Sequence, residues 1–149
     1  MKISKKIMLF SLIILLIISS VILFLGKTEK DVLQKKIDLV FTNAISDSMG
    51  GLSMGYDKID TEEKIRCYYQ TLSNLHDALE VFYISSYREY NELFQTLNRL
   101  YIYILRNKGD NYEIDDKLSI LTFLGKALVY PDDNQLISDF NSFLDSKSK

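Results

Sequence analysis

The chain has no tryptophan, and only one proline, one cysteine, one histidine and six glycines in 149 residues. With Cys67 alone, there is no intramolecular disulfide framework and no multi-cysteine metal site. With His76 alone, the paired-histidine sites of helical metalloproteins are excluded too. So little proline and glycine excludes collagen-like and proline-rich disordered chains. Positive charge is also scarce: residues 27–149 carry 15 Lys/Arg against 20 Asp/Glu, a net charge of −5. That excludes a nucleic-acid binder working through bulk positive charge. A length of 149 residues is room for one domain.

What is abundant is aliphatic sequence at the start. Lys2, Lys5 and Lys6 precede IMLFSLIILLIISSVILFLG, twenty residues without a charge, of which fifteen are Leu, Ile, Val or Phe. As a helix, twenty residues rise about 30 Å, the thickness of a bilayer's hydrocarbon core. Each such aliphatic contributes roughly −0.3 to −0.6 kcal/mol to insertion, enough together to outweigh Ser11, Ser19 and Ser20. Serine hydroxyls can also bond the carbonyl one turn back. A soluble core helix would show a polar face, and this segment has none. Signal cleavage needs small residues at −3 and −1, but Ser20 is preceded by Ile18 and Gly26 by Phe24 at those offsets. No cysteine follows the run to carry a lipid. The expectation is a basic tail over 1–6 and an uncleaved signal anchor over 7–26 that meets the lipid bilayer. The flanking lysines nearly tie under the positive-inside rule. The short basic start resembles a signal n-region, which places the N-terminus in the cytoplasm and the C-terminal domain outside.

Beyond the anchor the periodicity is helical. Leu33, Ile37, Val40 and Ala44, flanked by Phe41 and Ile45, predict a juxtamembrane amphipathic helix over 27–48, which could run on from the anchor as one rod. Ser48-Met-Gly-Gly-Leu-Ser-Met-Gly55 holds three of the six glycines and predicts a flexible linker over 49–59. Asp60-Thr-Glu-Glu63 has the form of a capping box opening a helical domain over 60–145. Ile65, Tyr68, Leu72, Leu75, Leu79 and Phe82 make the cleanest seam. A second seam of Tyr83, Tyr87, Tyr90, Phe94, Leu97, Tyr101 and Ile104 is shifted in phase. Either Ser85-Ser86 breaks the chain, with Ser86 and Glu89 as a second capping box, or one long helix carries a stutter, as an extended coiled coil would. Lys108-Gly109 is a stop signal. Ile114, Leu118, Leu121, Leu124 and Leu128 predict another helix, ended by Pro131. Leu136, Phe140, Phe143 and Leu144 predict a last one, followed by a frayed tail over 146–149. No run alternates β-branched residues, so the expected fold is all-α, an N-terminal transmembrane helix with a bundle or helical hairpin of three to five helices.

Candidate chemistry is thin. Gly51-Leu-Ser53-Met-Gly55 matches G-x-S-x-G, but that motif needs a strand before the serine. Gly50 and Gly55 have P-loop spacing, but Tyr56-Asp57 replace the Lys-Ser/Thr that holds phosphate and magnesium. Cys67 and His76, nine residues apart, fall on opposite faces of one helix and cannot activate each other. His76 reads as an edge-of-core imidazole paired with Glu80. The pairs Glu62-Glu63, Asp115-Asp116 and Asp132-Asp133 sit near helix starts, where capping accounts for them. Tyr112 and Ile114 stand where an EF-hand needs oxygen ligands. No catalytic, cofactor-binding or metal residue is therefore assigned. Seven of ten tyrosines lie between residues 68 and 103. Most fit the seams as core, while Tyr69 and Tyr103 lie off them. Tyrosine-rich helix faces also suit protein interfaces, and Tyr83, Tyr87, Tyr90 and Tyr101 form the candidate interaction face.

The expected role is non-enzymatic. A membrane-anchored helical domain would bind another protein or itself at the cell envelope, as an accessory subunit of an envelope, secretion or division complex. The alternative is an immunity or phage-type protein that guards or perturbs the membrane. An enzyme is the third reading. The Lys/Ile/Asn/Tyr-rich, Ala/Pro/Trp-poor composition suits an AT-rich bacterial genome.

Overall fold

A computed structural model describes residues 5–55, 58–109 and 112–147, with side chains described from Leu12 onward. The expectations for residues 1–4, for Tyr56-Asp57 and for the last two residues of the tail lie outside the described residues. Five α-helices and no strand occur among the described residues: α1 (Lys5–Ser53), α2 (Thr61–Phe82), α3 (Asn91–Arg106), α4 (Lys117–Val129) and α5 (Asn134–Lys147). The fold is all-α, with one N-terminal helix long and apolar enough to cross a membrane.

The chain divides into two compact units, Met1–Lys36 and Ile37–Lys149. In the first, every side chain from Leu12 to Phe24 is exposed. The hydroxyl of Ser19 donates to the Leu15 carbonyl at 2.8 Å, which hides its polarity within the helix.

The second unit begins inside the segment expected as the juxtamembrane helix, which runs on from the anchor segment without a break. Its α1 residues Phe41, Ala44, Ile45, Ser48 and Leu52 are buried, whereas Leu33 and Val40, expected on the core face, are exposed. The predicted stripe was therefore rotated: its flanking residues Phe41 and Ile45 are the true core positions, because Ser48 and Gly51 can face inward as well as aliphatics can.

The glycine-rich linker expected over 49–59 is also corrected, since α1 stays helical to Ser53. The reason is packing. A Cβ on Gly51 would lie 2.4 Å from Thr71 Oγ1 and 2.8 Å from the Cys67 carbonyl oxygen, so glycine is what lets α1 approach α2. The Thr71 hydroxyl, buried at this contact, lies 2.9 Å from the Cys67 carbonyl and 3.3 Å from that of Ser48.

Asp60 caps α2 as expected, its side chain accepting from the Glu63 amide at 2.8 Å. Tyr68, Leu72, Leu75 and Phe82 are buried, and Leu79 packs against the core. Between residues 83 and 90 the chain breaks, which resolves the two readings of 61–107 in favour of two helices. The break contains a short 3-10 helix, Ser86–Glu89, but its cap is Ser85, which accepts from the Tyr87 amide at 3.1 Å. The expected Ser86/Glu89 capping box does not form, because Ser86 is engaged by α1.

α3 runs back along α2: Phe82 lies 5.2 Å from Phe94, and the Tyr68 hydroxyl donates to the Ile104 carbonyl at 3.1 Å. Its buried face is Leu93, Thr96, Leu97, Leu100, Tyr103 and Ile104. Thr96 can be buried because Asn141 of α5 donates to its hydroxyl at 2.8 Å. Arg99 donates to Asn141 at 2.7 Å and pairs with Asp145, clamping α3 to α5.

α4 and α5 meet through a parallel stack of Phe123 on Phe140, centroids 3.9 Å apart. Lys147 ties the end of α5 to Asp116 at the start of α4, at 2.7 Å, so Ser146 and Lys147 belong to α5 rather than to a frayed tail. Leu118, expected in the core, is 79% exposed. Ile120, Phe123, Leu124 and Ala127 take the inner face instead.

Candidate interaction surface

The four tyrosines singled out in the sequence separate into three settings. Tyr87 packs on Phe41 of α1, with centroids 4.4 Å apart, and Tyr90 lies 6.3 Å from Tyr87. Tyr83 is exposed and tilts against Phe94 at 4.6 Å. Tyr101 lies elsewhere on α3, 5.9 Å from the His76 ring. Tyr83, Tyr87 and Tyr90 lie in or beside the turn at the end where α2 passes into α3.

That end is built around Asp38. The backbone amide of Ser86 donates to Asp38 Oδ1 at 2.7 Å, and its hydroxyl donates to Oδ2 at 2.9 Å. An acidic side chain on α1 thus caps the 3-10 turn between α2 and α3. Burial raises the Tyr87 phenol above its ordinary range, and the charge of Asp38 adds to the shift. Ser86, Tyr87, Glu89, Tyr90, Leu128, Val129 and Pro131 line a shallow cavity of about 400 Å³ here. Tyr83 and Ile84 just before the 3-10 turn, and Val129 and Tyr130 at the end of α4, are all more than half exposed. Sequence periodicity could not find Ile84, Val129 or Tyr130, which lie in or beside loops.

The helical unit has other concavities as well. Leu118, Thr122, Phe123, Leu136, Phe140 and Phe143 contribute to an apolar groove of about 380 Å³ between α4 and α5. Arg99, Tyr103, Arg106, Asn107 and Lys147 contribute to a cavity of about 390 Å³ at the ends of α3 and α5. Arg106 and Lys147 lie in the last turns of α3 and α5, where cations suit a helix C-terminus, and Arg99 and Lys147 are already engaged by Asp145 and Asp116. Tyr103, expected off the seam, is buried there, 6.3 Å from Phe143, and burial raises its phenol pKa.

The residues weighed for chemistry are dispersed. Ser53 lies on the last turn of α1 and donates to the Gly50 carbonyl at 2.9 Å. Cys67 is buried, and burial raises its thiol pKa, with the charge of Glu63 adding to the shift. His76 faces outward, its Nε2 3.3 Å from Glu80. Asp133 accepts from the Leu136 amide at 3.0 Å, a cap of the kind expected. Asp116 differs: it has φ 58° and makes no side-chain cap bond, because its carboxylate is taken by Lys147. Among the described residues, no group of three His, Cys, Asp or Glu could hold a metal ion.

Compared with known proteins, the chain matches no family model, no curated protein and no solved structure.

Proposed function

We propose that this chain is a membrane-anchored, non-enzymatic adaptor whose helical unit makes protein–protein contacts at the cell envelope. The observation that carries the reading is the uniform exposure of Leu12–Phe24. A run of large aliphatics with no protein covering it finds its low-energy environment in lipid. The N-terminus would lie in the cytoplasm and the helical unit outside. Anchoring confines the unit to a plane, and the raised effective concentration makes weak contacts sufficient.

The exposed rim of Tyr83, Ile84, Val129 and Tyr130 is the contact surface this reading favours. Tyr87 and Tyr90 lie in the turn that follows Tyr83 and Ile84, while Tyr101 stands apart on α3. The test is crosslinking in intact cells followed by identification of the joined proteins, for the natural chain and for Tyr83→Ala with Tyr130→Ala. A crosslinked partner lost in the double variant, with the helical spectrum unchanged, is the expected result. The same crosslinks in the variant would move the contact off this rim.

A further inference from the structure

Tyr103 on α3 is only 7% exposed, and its hydroxyl has no hydrogen-bond partner among the described residues. The other deeply buried phenol, Tyr68, donates to the Ile104 carbonyl at 3.1 Å. A buried hydroxyl without a partner is costly, and folded proteins set a bonding group against it. What Tyr103 has beside it is the cavity of about 390 Å³ at the ends of α3 and α5, of which it forms part of the wall.

The rest of that wall has one sign of charge. Arg99, Arg106 and Lys147 line the cavity, and among the described residues no carboxylate does. This is a departure for a stretch, residues 27–149, that carries a net charge of −5. Asp145 and Asp116 hold Arg99 and Lys147 from outside the wall, and the charges of Asp116, Lys147 and Asp115 reach the Tyr103 phenol. Arg99 bonds Asn141 and Asp145, and Lys147 bonds Asp116, which leaves N–H donors over on both. Arg106 is exposed, and its guanidinium has no partner among the described residues. Helix-end electrostatics accounts for Arg106 and Lys147, and the α3–α5 clamp accounts for Arg99. Neither gives the Tyr103 hydroxyl a partner.

We propose that this cavity binds a small phosphate monoester, its oxyanion on Arg106, Lys147 and the Tyr103 hydroxyl, its organic part against Ile102 and Leu144. A phosphate offers enough acceptor oxygens for a guanidinium fork, an ammonium and a phenol at once, whereas a carboxylate is filled by the fork alone. The volume is that of a small-molecule site and exceeds what a bare phosphate fills. Ile102 and Leu144 give the surplus an apolar wall. The same head chemistry occurs in a dissolved ester and in phosphatidic acid. The inference does not rest on the membrane placement above, so its failure leaves that reading standing.

The experiment titrates the full chain, purified in a nonionic detergent, with glycerol 3-phosphate, inorganic phosphate or glycerol, read by calorimetry. Glycerol 3-phosphate should bind saturably, at least several-fold more tightly than inorganic phosphate, and glycerol should not bind. Arg106→Gln should weaken the binding several-fold. Tyr103→Phe should do the same with the helical spectrum unchanged and the melting temperature unchanged or raised, since the hydroxyl it removes has no partner within the protein. Lys126→Gln makes the same change of charge at an exposed position on α4 and should leave binding intact. Phosphatidic acid added to the micelles tells the sources apart: lost binding of glycerol 3-phosphate assigns the site to a lipid headgroup, unchanged binding to the dissolved ester, and both support the monoester site. No saturable binding overturns the proposal. So does inorganic phosphate bound as tightly as the ester (an adventitious ion only), binding indifferent to Tyr103→Phe, or an equal loss in Lys126→Gln.

Discussion

Gly51 is where a residue's local signal and its tertiary role diverge most. Gly50-Gly51 has the local signature of a break, yet both residues are helical, and only one of them is needed as glycine. Nothing lies within 4 Å of a Cβ built on Gly50, whereas one on Gly51 meets Thr71 and the Cys67 backbone. Gly51→Ala is expected to destabilise the helical unit by about 1–3 kcal/mol through overpacking. Gly50→Ala should leave stability unchanged or raise it by up to about 1 kcal/mol, since alanine is the better helix former. Paired urea melts followed by circular dichroism would separate the two, and equal effects would refute the packing account. The tyrosines give a second residue-scale prediction. Burial raises the phenol pKa of Tyr68, Tyr87 and Tyr103 in the folded state. A raised folded-state pKa contributes stability that is present below the unfolded value, about 10, and is lost as pH climbs through the folded values. Melting temperature should therefore fall steeply above about pH 10, together with tyrosinate absorbance. Tyrosines that ionise while the fold is intact would contradict it. The sequence showed Tyr68 as core, but it misplaced Tyr103, because a half-polar side chain fits either side of a helix until its neighbours are known.

The helices were the most legible elements, and their junctions the least. α2 was readable from its cap to Phe82, since Asp60 and a regular 3-4 spacing act locally. The change of phase near residue 83 was visible, but whether it meant a break or a stutter depended on Asp38, 48 residues away from Ser86. No local pattern encodes that partner. Asp38→Ala removes both acceptors of the Ser86 bonds and should cost about 1–3 kcal/mol, with faster amide exchange over residues 84–90. Protection unchanged across that turn would show that the Phe41–Tyr87 contact alone holds it. Asp60→Ala should cost about 1 kcal/mol through the lost cap. For α4 the sequence offered too many apolar positions. Nearly every residue of KLSILTFLGKALV can be buried, so the buried face was fixed by the Phe123–Phe140 stack and not by the pattern.

At the scale of the whole molecule, the all-α class and an N-terminal helix long and apolar enough to cross a membrane were both evident from composition. An unbroken apolar run with only three serines marks the long apolar helix, and helical spacing with no β alternation leaves an all-α remainder. The candidate interaction rim was legible only in part. Tyr83, Tyr87 and Tyr90 were singled out as one stripe, but Tyr87 packs on Phe41 in the turn that Asp38 holds, Tyr83 packs on Phe94, and Tyr101 is left behind on α3. Only the tertiary fold brings Val129 to the cavity that Tyr87 and Tyr90 line.

The most direct measurement is sodium carbonate extraction of membranes from cells making the full chain, followed by ultracentrifugation. Alkali strips peripheral proteins and, by the tyrosine argument, also loosens the helical unit, but it leaves a lipid-spanning helix in place. The chain is expected in the membrane pellet and released only by detergent. Recovery in the carbonate supernatant would contradict the anchor, and the account built on it.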